Sequence, residues 1–285
     1  MAKQAIFAAL GGFTIFYVVV WLTALRRQTV SPPSLLHLVT GFVTNFFDTL
    51  GIGSFATTTA IFKFQKMVPD ELYPGTLNVG HTLPVIFQAF IYISAIEVDA
   101  VTLALMIASA VVGAWFGAGL VSRLSRRAVQ VGMGVALLTA ATAMLMSQLN
   151  LFPVGGESLQ LSGWRLGLGM AGNFLFAAIS TLGIGFYAPC MTLVSLLGMN
   201  PVAAFPIMMG SGAFLMPVAS ARFVWSKVYY VPAAIGLAVG GLMGVPVAAF
   251  VVKSLPLTAL RWLVIIAVTY AAVLMLRSSR TRQMT

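Results

Sequence analysis

Apolar runs of membrane-spanning length recur along the chain, at residues 5–25, 72–96, 100–122, 128–148, 201–221, 229–252 and 258–276, separated by short loops that hold most of the basic residues. About 20 helical residues cross the roughly 30 Å hydrocarbon core, so each run predicts a transmembrane helix. The first is too long for a signal-peptide core and lacks an Ala-x-Ala cleavage pattern, so it too is read as a helix. Two further apolar stretches, 35–62 and 165–197, behave differently. Each contains the string Thr-Leu-Gly-Ile-Gly, at Thr49–Gly53 and, 132 residues later, at Thr181–Gly185. Two glycines in three positions weaken a helix that the surroundings favour, so both strings predict breaks in membrane helices. Backbone freed by a break needs partners from protein, water or ligand, because lipid offers no hydrogen bonds.

Composition narrows the class without changing it. With 60% hydrophobic and 8% charged residues and a mean hydropathy of +0.99, the chain has too much apolar surface for a soluble fold. The net charge of +10 does not indicate a nucleic-acid partner, because the 16 basic residues are spread through short loops. That distribution belongs to membrane orientation. Cys190 is the one cysteine, which excludes an intrachain disulfide and a multi-cysteine metal site.

Charge also bears on how the two broken stretches thread. If all nine apolar stretches cross, Lys and Arg divide 8 to 8 between the two sides. If 35–62 and 165–197 each dip in and return, the division becomes 12 to 4, a positive-inside pattern. Each half is then one hairpin plus three crossings, and the odd number of crossings inverts the second half. Pro69 and Pro201 share the 132-residue offset, and Gly113 and Gly117 are answered by Gly240 and Gly244. The expected fold is therefore an all-α polytopic membrane protein of two inverted repeats, residues 31–150 and 151–285, preceded by one N-terminal helix within residues 1–30. Its place is the cell membrane, with the N-terminus outside and the C-terminus cytoplasmic. The competing reading is nine plain spans whose glycines serve close helix packing.

Paired broken segments at matching places in two halves point to a transporter's binding site. The substrate-binding candidates are accordingly Asn45, Thr49, Gly51, Gly53, Ser54 and Asn78 in the first half, and Thr181, Gly183, Gly185, Cys190 and Ser211 in the second. Asp48 and His81 are ionisable groups at membrane depth, where such residues usually carry function, and they are the candidates for proton coupling. The structural alternative is that Asp48 caps the broken helix and neutral His81 satisfies a freed backbone group. Hydroxyls on membrane helices often bond their own backbone, and the Met residues from Met191 to Met216 read as core.

The two segments, Thr49-Leu50-Gly51-Ile52-Gly53-Ser54-Phe55 and Thr181-Leu182-Gly183-Ile184-Gly185-Phe186-Tyr187-Ala188-Pro189, resemble those of the TauE/SafE family of sulfite and organosulfonate exporters. The resemblance covers about residues 36–276. The second segment matches the family pattern better, through Pro189; many members continue the Gly run where this chain has Ser54-Phe55 and Phe186-Tyr187. What the resemblance implies is gradient-driven movement of a small sulfur-containing or carboxylated anion, with no cofactor. A secondary transporter is thus the expected function, an anion channel the first alternative, and a membrane-embedded enzyme the second. No G-x-x-x-x-G-K-[ST] loop occurs, which argues against a self-contained ATP-driven pump. The expected partners are the small anion and the lipid bilayer, with a homodimer left open and no nucleic acid.

Overall fold

The computed structural model describes residues 2–27, 30–50, 52–151, 155–183, 185–200, 203–251 and 257–280. Among these the chain is all-helical, with one isolated bridge between Ser158 and Met199. The helices are α1 (Ala2–Leu25), α2 (Leu35–Thr49), α3 (Ser54–Gln65), α4 (Tyr73–Ala95), α5 (Ala100–Val121), α6 (Arg126–Gln148), α7 (Gly163–Ser180), α8 (Tyr187–Leu196), α9 (Ala204–Ser226), α10 (Val231–Pro246) and α11 (Leu257–Arg280). A 3-10 turn, Asp70–Leu72, precedes α4, and a π turn, Val247–Val251, extends α10. Among the described residues six helices are long and apolar enough to cross a membrane, on Gln4–Leu25, Asp70–Ala95, Ala100–Val121, Arg126–Gln148, Phe205–Ser226 and Val231–Phe250. The architecture fits a helical membrane protein.

Local chemistry sets several of the boundaries. Ser34, after Pro32-Pro33, accepts a hydrogen bond from the His37 N–H while His37 Nδ1 accepts from the Ser34 N–H, so two otherwise unpaired donors at the start of α2 are satisfied together. Asp99 caps α5 by accepting from the Thr102 N–H at 2.8 Å, and Ser125 caps α6 by accepting from the Ala128 N–H at 3.3 Å. Both glycine-rich strings fall between helices, separating α2 from α3 and α7 from α8.

Contacts along α4 fix the course of the first broken segment. Asn45 meets His81, and Thr49 meets both Gln88 and Tyr92, so α2 runs in the same direction as α4. Thr58 meets His81 and Phe62 packs edge-on against Tyr73, so α3 runs back the other way. The segment therefore folds back on itself between Thr49 and Ser54. The second behaves alike against α5 and within itself. Asn173 bonds Met106 O and the backbones of Phe174 and Ala178 lie beside Gly113 and Gly117, so α7 runs with α5. Gly169 then faces Leu197 and Gly172 faces Leu193, so α8 returns along α7.

Among the long helices α5 and α9 run parallel, with Ile107 by Gly210 and Gly119 by Arg222, whereas α4 and α9 are antiparallel. Along α4 and α9, Ile93 lies by Gly210, Thr82 bonds Ser220 at 2.8 Å and Gly75 lies by Val228. The α2–α3 segment therefore enters beside the start of α4, while the α7–α8 segment enters beside the start of α5, at the opposite end of the bundle. Around α3 and the start of α4, Lys63 pairs with Asp70 at 2.7 Å, Gln130 bonds the same carboxylate at 2.8 Å, and Arg126 lies 3.5 Å from Glu71. At the opposite end lie Glu97 and Asp99, with the Asp99 N–H bonded to Leu159 O.

The surface carries large apolar side chains, and the interior holds polar residues among an apolar core. Ile15, Phe116, Leu120 and Ile266 are each more than 60% exposed, whereas Asn45, Asp48, Thr58, His81, Gln88 and Asn173 are buried. Such an interior demands internal partners for every polar atom, since a buried unpaired donor or acceptor is costly.

Candidate functional site

Helix breaks generate the site. The last turn of α2 ends in Thr49, the chain turns through Leu50 and residues 52–53, and Gly53 takes φ +82° before α3 begins at Ser54. Asp48 turns toward that new helix: its Oδ1 accepts from the Ser54 N–H at 2.7 Å, satisfying one of the donors that a helix start leaves open. Its Oδ2 is buried with no partner. In the second break, Gly183 takes φ +102° and its N–H bonds Ser180 O at 2.8 Å, after which Phe186 leads into α8.

A cavity of about 40 Å³, measured for the centres of water-sized molecules, lies between the two tips. That is room for on the order of three waters. The tips contribute Asp48, Gly53 and Ser54 from one side and Ser180, Gly185 and Phe186 from the other. These are three pairs, each separated by the same 132 residues that relate the glycine strings. Phe55, Val85, Leu215 and Met216 complete an apolar wall. Among the described residues no Lys or Arg lines the cavity, and no group of three or more His, Cys, Asp or Glu could hold a metal.

The expected site residues divide into those at the cavity and those behind it. Asp48, Gly53, Ser54 and Gly185 line it. Gly51 lies outside the described residues. Thr49 holds the break: its hydroxyl donates to Asn45 O at 2.8 Å and accepts from Gln88 Nε2 at 3.0 Å, while its carbonyl accepts from the Tyr92 hydroxyl at 2.6 Å. Asn78 donates to Pro74 O at 2.8 Å and to Thr181 O at 3.1 Å, tying the second break to α4. The Thr181 hydroxyl turns back to Ala178 O, Ser211 accepts from Asn173 at 3.0 Å, and Cys190 is buried outside the lining. Gly183 packs against Met133 and Leu77.

His81 and Asp48 share no hydrogen bond, and their surroundings differ. His81 Nδ1 is 3.1 Å from Asn45 Oδ1 and Nε2 is 3.0 Å from the Thr58 hydroxyl, with Phe55 packed over the ring. Because Asn45 gives its amide N–H to Gly41 O at 2.8 Å, its oxygen faces His81 and must accept. The bonding pattern assigns Nδ1–H as donor to Asn45, and the Thr58 hydroxyl, which can donate or accept, engages Nε2, so both ring nitrogens are satisfied within the protein. The ring sits behind Phe55 rather than in the cavity wall.

Ser180, Phe55 and Phe186 line the cavity without having been singled out as binding residues. The 132-residue offset applied to Asp48 and Ser54 lands on Ser180 and Phe186 and could have found both. Val85, Leu215 and Met216 carry no comparable mark; Met216 reads as core from sequence. Compared with protein-family models, curated proteins and solved structures, the chain has no match.

Proposed function

We propose that this chain is a secondary transporter for a small anion, built from two inverted repeats whose helix breaks form the binding site. The observation that carries the reading is the cavity between the tips, lined by three residue pairs at the repeat offset. The pattern of pairing supports it: α2 lies along α10 as α7 lies along α5, while α4 packs on α9 and α6 on α11. A pseudo-two-fold axis in the membrane plane relates repeats of this kind, with the site at mid-depth where broken helices meet. Two helix starts, those of α3 and α8, adjoin the cavity, and the partial positive charge and open N–H groups there favour an anion.

Orientation follows from charge. Lys63, Lys66, Arg123, Arg126, Arg127 and Lys227 lie toward the end where α4 and α10 begin, and this end is cytoplasmic in a cell membrane, leaving the N-terminus outside and the C-terminus inside. The resemblance to sulfite and organosulfonate exporters supplies the first substrates to try. A carrier is favoured over an open channel because the cavity has room for only a few waters and is walled by Phe55, Phe186, Leu215 and Met216.

Counterflow in proteoliposomes tests this. Vesicles preloaded with unlabelled sulfite should take up external labelled sulfite faster than empty ones, since only a carrier speeds exchange. Uptake indifferent to preloading points to a channel, and no uptake of sulfite or any small sulfonate or carboxylate ends the transporter reading.

A further inference from the structure

Both starts of the returning helices place donors at the cavity, yet the one charged side chain in its wall is a carboxylate. Asp48 is 1% exposed, one of its oxygens is committed to the Ser54 N–H, and the other is unpartnered. An ionised carboxylate beside a bound anion is a repulsive pair in a low-dielectric interior, and its cost rises as water is excluded. A protonated one is a hydrogen-bond donor. The backbone acceptors nearby are already engaged: Thr49 O by Tyr92, Thr181 O by Asn78, Ser180 O by the Gly183 N–H and Gly53 O by the Thr57 hydroxyl. The Ser180 hydroxyl donates to Ala177 O at 2.8 Å. A metal cation such as sodium takes several oxygen ligands, and the other unpartnered side-chain oxygens beside the tips, Gln88 Oε1 and Asn78 Oδ1, lie outside the cavity lining.

We infer that Asp48 is the proton carrier of this site: its free oxygen takes up one proton, and the resulting acid donates a hydrogen bond to the anion held between the two helix starts. The inference rests on the transporter reading. Proton and anion then occupy the site together as a neutral pair, and the proton leaves Asp48 when the anion does, giving one proton moved per negative charge. Neutral cargo desolvates at far lower cost than the bare anion. His81 has no part in the transfer, because both ring nitrogens are bonded within the protein and Phe55 separates it from the cavity. Besides His81, the described titratable groups on the elements around Asp48 are His37 in the first turn of α2, Tyr73 at the start of α4, Tyr92 on α4, whose hydroxyl donates to Thr49 O, and Cys190 on α8, which is buried outside the lining. Lys63, Arg165 and Arg222 sit toward the far ends of α3, α7 and α9.

The test uses the full chain in detergent with methanesulfonate, a probe that keeps one negative charge from acidic to alkaline pH. Ligand-induced thermal stabilisation, titrated against concentration, reads its affinity. Wild type should bind best in acid, with affinity falling by up to about tenfold per pH unit once Asp48 ionises, the slope for uptake of one proton. Asp48→Asn keeps an oxygen for the Ser54 N–H and presents a permanent N–H donor, so it should bind with no pH slope; in vesicles it should exchange substrate but not accumulate it down a proton gradient. His81→Gln, which can both donate and accept, should keep the wild-type slope. A wild-type affinity independent of pH, an Asp48→Asn slope equal to wild type, or stabilisation by sodium that Asp48→Asn abolishes would each overturn the proton role while leaving an anion site in place. Failure of methanesulfonate, sulfite and acetate to stabilise wild type at any pH would overturn the anion site, and the transporter reading with it.

Discussion

The two tips share a backbone plan and differ in chemistry. Each follows a helix that runs beside a neighbour from the other half, each turns through a glycine with positive φ, and each starts a returning helix at the same cavity. The first tip carries Asp48 and Ser54 where the second carries Ser180 and Phe186. The first is also anchored from α4 by Gln88 and Tyr92, while the second takes a single bond across the halves, from Asn78 to Thr181 O. A shared turn geometry thus lets one tip carry the carboxylate where the other carries a hydroxyl, Ser180, and an aromatic ring, Phe186.

The shared plan is most easily broken where the hairpins lean on the rest of the bundle. A methyl group added at Gly240 would sit inside contact distance of Leu38 O, and one at Gly113 inside that of Phe174 O. Backbone cannot yield as a side chain can, and overpacking of this kind costs about 1–3 kcal/mol or more. Gly240→Ala and Gly113→Ala should both lose monodisperse protein on size-exclusion chromatography, to similar extents. Full retention of either would show that its hairpin is not seated as described.

The chemical difference can be moved from one tip to the other. Asp48→Ser should abolish the pH dependence of methanesulfonate binding, and adding Ser180→Asp should restore part of it, because residue 180 lines the same cavity from the opposite side. If the double variant stays pH-independent, the tips are not interchangeable and the carboxylate needs the Ser54 N–H specifically.

The smallest expected effect separates two glycines. Gly53→Ala meets open space and only the penalty of φ +82°, whereas Gly183→Ala at φ +102° also meets Met133 Cε at 2.9 Å and Leu77 Cδ1 at 3.1 Å. The first should cost about 1–2 kcal/mol of stability and the second about 1 kcal/mol more, read as a lower thermal midpoint. Equal midpoints would mean that Met133 swings clear.

Much of this molecule is determined by the order of its residues. Apolar run length places the helices to within a few residues, as with 100–122 and Ala100–Val121, because burial in a membrane interior leaves helix as the way to satisfy backbone. The two Thr-Leu-Gly-Ile-Gly strings mark both breaks, since paired glycines weaken helix wherever they fall. What the order of residues does not determine is which way each short helix is turned about its axis. Asn45, Asn78, His81 and Ser211 have the polarity of binding residues, yet each bonds another part of the protein, while Phe55, Val85 and Met216 line the cavity. That rotation is decided by close packing: Gly236, Gly240 and Gly244 let α2 approach α10 backbone to backbone, and the approach turns Asn45 toward Gly241 and His81 while Asp48 reaches the cavity. Only the assembled helices, each limiting how its neighbour can be turned, decide which of the polar side chains brings an unpartnered oxygen, that of Asp48, to the cavity.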